Sequence, residues 1–170
     1  VDAFYKEQWK NEFNIDEVRE FYAFYYPGFN LRSTDLNAFL GMSQLDRIDE
    51  IVSVRQNNYN LYNKYLDGKY WKQESQFIQL SSFAYGTFVE NREEVFNHLK
   101  KNNIEVRPLI CGSMGKQPFW IKKFGYKPLK VADIVHDYGL YLPNHLYIDE
   151  EKIKFITAKF KEVAIPKFIL

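Results

Sequence analysis

The stretch Tyr25–Phe39, YYPGFNLRSTDLNAF, decides how this chain is read. An aromatic run ends at Pro27-Gly28, a polar turn comes next, and Ser33 or Thr34 stands where a helix needs its N-terminal cap, with Asp35 in the positive first turn. Beyond the cap, Leu36, Phe39, Leu40, Leu45, Ile48, Ile51, Val52, Tyr59, Tyr62 and Leu66 recur at three- and four-residue steps, interrupted by no proline and by a single glycine. This pattern predicts one long helix from Thr34 to Leu66, closed by a left-handed Gly68. At 1.5 Å per residue it would span roughly 50 Å, longer than a small domain is wide, so it should connect two bodies of structure.

Past Gly68 the segments alternate in type. QFIQL and YGTFVE read as strands, and NREEVFNHLKKNN as a helix fronted by an Asn91–Glu94 box. IEVRPL is a further strand. Cys111 to Leu129 reads as a loop rich in Gly and Pro, too long for a plain connector. VADIVHDYG is a short helix, LYLPN a strand, and a final helix runs from Asp149 to about Val163. Few strands with two short helices on one face of a small sheet make an α+β body attached to the end of the long helix.

Composition bounds the function. With 170 residues, 46% hydrophobic and 26% charged, the chain has the material for one ordinary globular domain. Its net charge of +1 supplies no field to recruit nucleic acid or an anionic membrane, so neither is expected as a partner. The single cysteine, Cys111, rules out an internal disulfide and fits a reducing compartment, with cytoplasm as the default. No window has the run of apolar residues that a membrane span needs. The chain begins at Val1 within the polar, amphipathic run VDAFYKEQWKNEF, which simple processing or a missing upstream segment would explain.

The residues that carry chemistry are few. His98, His136 and His145 lie far apart without a metal-type partner at helical spacing, so no metal site is expected. His98 and His136 fall inside helices and read as structural; His145, after YLPN at the end of a strand, stands where functional side chains often sit. Cys111 lacks an evident base and reads as a small packing residue. No glycine-rich phosphate loop or nucleophile elbow occurs. Three loops remain: PGFNLRSTD, EVRPLICGSMGKQPFW and GLYLPNHL. Each joins Gly or Pro to amide, guanidinium, ammonium or imidazole groups. They suit an anionic or polar small molecule, and they equally suit ordinary capped turns.

Taken in order, YYPGFNLRSTDLNAFLGMSQLDRIDEIVSVRQNNYNLYNKYL, NNIEVRPLICGSMGKQPFW and DYGLYLPNHLYIDEEKI resemble the C-terminal part of the DegT/DnrJ/EryC1/StrS family. These are pyridoxal-phosphate-dependent nucleotide-sugar aminotransferases together with their 3-dehydratase relatives. The first block is similar to the family's proline-glycine-aromatic-asparagine turn and long helix, here carrying Arg55. The second and third blocks look nearest to the branch that includes GDP-4-keto-6-deoxymannose 3-dehydratase.

The resemblance implies a type I, aspartate aminotransferase-like fold, of which the present chain matches the connecting helix and the small C-terminal α+β domain. The large cofactor domain, with its Schiff-base lysine or the histidine that replaces it in the dehydratases, would lie upstream. On this reading residues 1–33 border the missing large domain, 34–68 form the connecting helix and 69–170 the small domain. Asn30 matches the asparagine that reaches across a homodimer interface to the phosphate of the partner's pyridoxal 5'-phosphate, and Arg32 is placed to assist it. An amide on a glycine-eased turn beside a helix N-terminus is well disposed towards phosphate. Arg107, Lys116 and His145 fall on loops that face the nucleotide sugar in the family.

The resemblance therefore implies a C-terminal portion of a nucleotide-sugar aminotransferase acting on a 4-keto or 3-keto 6-deoxy sugar for surface polysaccharide. The alternatives are a 3-dehydratase using the pyridoxal or pyridoxamine cofactor, or a non-catalytic binding or scaffold remnant. No catalytic residue is expected within the chain. Lys64 and Lys116 lie outside the family's catalytic position, and the chain alone should form no Schiff base.

Overall fold

The computed structural model describes residues 3–28, 34–74, 80–110 and 112–168. Asn30, Arg32 and Cys111, and most of the expected strand QFIQL, lie outside the described residues. The helices are α1 (Ala3–Glu12), α2 (Asp35–Leu45), α3 (Ile48–Tyr65), α4 (Arg92–Lys101), α5 (Pro118–Phe124), α6 (Lys130–Tyr138) and α7 (Glu150–Val163). The strands are β1 (Ala84–Phe88), β2 (Arg107–Pro108) and β3 (Gly139–Pro143), and two short 3₁₀ turns occupy Arg19–Tyr22 and Met114–Lys116.

The three strands form an antiparallel sheet in the order β1-β3-β2. Cross-strand pairs set its two faces: Tyr85 opposite Leu142 and Thr87 opposite Leu140 share one, Gly86 opposite Tyr141 the other. The first face meets α3, α4 and α7 through Tyr62, Val95, Phe96, Leu99, Ile153 and Phe160, all at most 1% exposed, and this is the core. The Tyr62 and Tyr85 rings stack there with centroids 4.9 Å apart. Such burial supplies about 1.5–3 kcal/mol for each large apolar side chain, more than local helix propensity can. Leu109 and, from α6, Val135 line the opposite face beside Gly86 and Tyr141. The two short helices α4 and α6 thus serve opposite faces, a correction to the expected one-sided arrangement. A Cβ on Gly139 would lie 2.6 Å from the Val135 carbonyl oxygen, so close packing there requires glycine.

The expected single helix is two. The chain leaves helical geometry at Arg47 (φ −112°, ψ 10°), between α2 and α3. Neither proline nor glycine marks the break. Its cause is unequal support: α3 buries Asn58, Tyr59 and Tyr62, whereas α2 buries nothing and exposes Leu36, Phe39, Leu40, Met42 and Leu45. Helices without packing are only marginally stable, and among the described residues no buried side chain of α2 holds it in register with α3. The ends behave as the sequence implies. The Thr34 hydroxyl accepts the Asn37 N–H at 3.2 Å, and Gly68 takes φ +64° beside a left-handed Asp67.

Three further expectations are corrected. The stretch from 111 to 129 is not one loop, because Pro118 opens α5 at a position where a missing N–H costs nothing and Gly125 (φ +75°) ends it. Asn91 does not cap α4 with its side chain; it bonds Glu94 at 2.6 Å, the Val163 carbonyl at 2.8 Å and the Ile165 N–H at 2.9 Å, tying α4 to the chain after α7. IEVRPL contributes only Arg107 and Pro108 to the sheet, on an edge where proline is tolerated.

Candidate functional site

One end of the sheet holds a cleft of about 180 Å³ whose walls include Tyr22, Phe83, Glu105, Arg107, Tyr141 and His145. The sheet register explains how distant residues meet. Arg107 on edge strand β2 lies opposite Tyr141 on β3, and His145 stands two residues beyond the end of β3 at Pro143. Glu105 sits two residues before Arg107, and its Oε1 accepts the Arg107 Nε–H at 2.9 Å. This contact, and after it the Tyr22 phenol, raises the guanidinium pKa further. Arg107 is therefore a permanent, solvent-facing cation whose fork is already oriented.

The turn that carries His145 is built by α3. The Asn58 amide donates to the Ile148 carbonyl at 3.1 Å, and the Tyr62 hydroxyl to the Pro143 carbonyl at 2.8 Å. Asn144, 1% exposed, donates to the carbonyls of Arg55 (3.1 Å) and Ser82 (2.8 Å). His145 Nδ1 accepts the Tyr147 N–H at 3.2 Å, which assigns the proton of the neutral ring to Nε2. The imidazole stands between this cleft and a second hollow formed with Ile104, Lys152 and Phe155. The site thus presents a guanidinium, a carboxylate, a phenol and an imidazole donor on rigid backbone, a set suited to phosphate and sugar hydroxyls.

Of the expected substrate-facing residues, the structure brings Arg107 and His145 to one cleft. Lys116 lies elsewhere, its ammonium 2.6 Å from Asp137, which also accepts from Arg19 at 3.0 Å. His98 bonds Glu162 at 3.0 Å on the surface of α4. His136 accepts the Ser113 N–H, and burial, aided by the charge of Arg19, pushes its pKa down to about 4. Both act structurally. Among the described residues no group of three His, Cys, Asp or Glu side chains converges as a metal site needs.

Sequence reasoning alone does not reach Tyr22 or Glu105. Glu105 has a legible signal, since the two-residue period of a strand puts it on the same side as Arg107. Tyr22 has none; it reaches the cleft from a 3₁₀ turn more than eighty positions away.

The fold has counterparts. The E. coli GDP-4-keto-6-deoxy-D-mannose-3-dehydratase with bound hydrated PLP superposes with a TM-score of 0.66 at 21% identity, over 86% of this chain and 40% of that one, which establishes a shared fold for the matched part. In sequence the chain is 25% identical over 155 residues to GDP-4-keto-6-deoxy-D-mannose 3-dehydratase of Escherichia coli O55:H7, covering 86% of the chain and 40% of that protein. GDP-perosamine synthase of Escherichia coli O157:H7 is 26% identical over 79% of the chain and 37% of its own length. The chain thus spans about 40% of the length of these relatives. The sequence model of the DegT/DnrJ/EryC1/StrS aminotransferase family matches residues 5–161, and the chain belongs to that family.

Proposed function

We propose that this chain is the substrate-facing C-terminal portion of a pyridoxal-phosphate-dependent enzyme that modifies a nucleotide-linked keto sugar. The single observation that carries the reading is the meeting of Arg107 and His145 in one cleft with Tyr22 and Glu105. Arg107 would hold the diphosphate, His145 Nε2–H and Tyr22 would address oxygen atoms of the sugar, and Glu105 would keep the guanidinium oriented until ligand arrives. At about 180 Å³ the cleft is smaller than the roughly 300–1,000 Å³ of a complete small-molecule site. The remaining walls would come from the cofactor domain and from a second subunit of a homodimer.

Neither Lys64 nor Lys116 is suited to tether the cofactor. Lys116 is committed to Asp137, and Lys64 lies over the Tyr65 ring at 5.2 Å, so neither is a free buried amine. Asn30 and Arg32 remain proposed phosphate contacts. When bound, the cofactor supplies an electron sink for carbanions beside its imine carbon. The contribution of this chain is binding and orientation. Transamination is the leading reaction. Loss of the C3 hydroxyl is the second reading, favoured by the sequence likeness to the 3-dehydratase of E. coli O55:H7.

Titration of the chain with GDP, read by amide chemical shifts, tests the proposal. Shifts confined to Tyr22, Glu105, Arg107 and His145, and lost in Arg107→Ala, are expected. Shifts elsewhere, or shifts that survive Arg107→Ala, would refute it. With pyridoxal phosphate and borohydride, no single lysine should be labelled selectively.

A further inference from the structure

Gln117 is 2% exposed, a rare degree of burial for an amide side chain. Its Oε1 accepts the Phe24 N–H at 2.9 Å and its Nε2 donates to the Tyr22 carbonyl at 2.9 Å. The Phe119 N–H donates to the Phe24 carbonyl at 3.1 Å. One amide thus grips both backbone groups that flank Ala23, in a segment that belongs to no strand. Adjacent contacts reinforce the grip. Lys116 and Arg19 converge on Asp137, and Lys122 on α5 lies 4.7 Å from the Trp9 ring, which packs against Tyr25 at 5.3 Å and Tyr26 at 5.2 Å. The piece running from Lys116 into α5 therefore fixes residues 19–26 at several points.

Tyr22 links this grip to the cleft. It forms part of the cleft wall beside Arg107, its turn packs against β2, and its phenol helps to raise the Arg107 pKa, after Glu105. We propose that Gln117, which does not line the cleft, is a positioning residue for it, setting Arg107 through Tyr22; the proposal rests on the nucleotide-sugar reading of that cleft. An amide is needed because the two flanking backbone groups have opposite polarity, one N–H and one C=O. Gln117→Glu keeps the shape and the acceptor for Phe24, loses the donor, and sets a carboxylate oxygen against the Tyr22 carbonyl. It separates hydrogen bonding from mere filling of space.

The test uses the whole 170-residue chain with GDP as the probe, comparing wild type, Gln117→Glu, Tyr22→Phe, their double variant and Arg107→Ala. By repelling the Tyr22 carbonyl, Gln117→Glu is expected to loosen the segment and speed amide exchange at Phe119, whose N–H bonds the Phe24 carbonyl, leave the exchange of α7 unchanged, and weaken GDP binding about five- to tenfold, the effect of one lost hydrogen bond. If Gln117 works through Tyr22, the double variant binds no more weakly than the worse single variant. Faster exchange with unchanged GDP affinity makes Gln117 merely structural and overturns the proposal; so does an additive double variant. Failure of the nucleotide-sugar reading has a separate signature: Arg107→Ala would then bind GDP as wild type does, and the proposal would fall with it.

Discussion

Tyr62 and Phe39 lie on neighbouring helices, predicted as one, yet they meet opposite surroundings. Tyr62 on α3 is fully buried, stacked on Tyr85 and bonded to the Pro143 carbonyl. Phe39 on α2 is 71% exposed, one of five large apolar residues of that helix turned to solvent. The body around the sheet has completed its core, while α2 carries an apolar face that the described residues do not cover. Isolated exposed apolar side chains are ordinary, but a whole helix face of them signals a surface built for contact. In the proposed enzyme the cofactor domain covers it.

Substitutions break this comparison in a definite order. Tyr62→Ala should cost about 3–5 kcal/mol, since it opens a cavity and orphans a buried carbonyl, and chemical denaturation will show whether the body still folds. Acid comes next. A histidine whose folded pKa lies below its ordinary 6.5 binds its proton more readily in the unfolded chain. Stability is therefore intact above about pH 6.5 and is lost as pH falls towards about 4, by at most about 3 kcal/mol from His136 alone. Arg19, Arg92 and Lys116 oppose the proton and Asp137 favours it. Denaturation midpoints across this range, flattened in a His136→Gln variant, would check the assignment.

Smaller effects belong to α2. Thr34→Ala removes its cap and should reduce the local stability of that helix by about 1 kcal/mol, read by amide exchange within Asp35–Leu45. Phe39→Ala should change the unfolding free energy of the chain by less than about 0.5 kcal/mol. Equal costs for Phe39→Ala and Tyr62→Ala would erase the distinction between the two regions.

The same contrast governs what can be read from the sequence. Helical periodicity within each of α2 and α3, the Thr34 cap and the Gly68 stop are local signals and appear as read. The break at Arg47 is illegible because it depends on which helix finds a packing partner, a fact that periodicity does not carry. Asn91 misleads for a related reason. Its spacing to Glu94 is that of a capping box, but its side chain bonds the Glu94 carboxylate, the Val163 carbonyl and the Ile165 N–H instead of capping α4. The family resemblance points to Arg107 and His145 separately; only the antiparallel register of β2 and β3 places them together. Tyr22 and Gln117 act through contacts that span most of the chain, and no local pattern announces them.

Sedimentation velocity of the chain over a range of concentrations tests the central claim, that this is one portion of a larger enzyme with α2 built for burial. Concentration-dependent association is predicted, and replacing Leu36, Phe39 and Met42 by glutamine should abolish it without lowering the unfolding midpoint. A monodisperse monomer at every concentration, unchanged by those substitutions, would contradict the account.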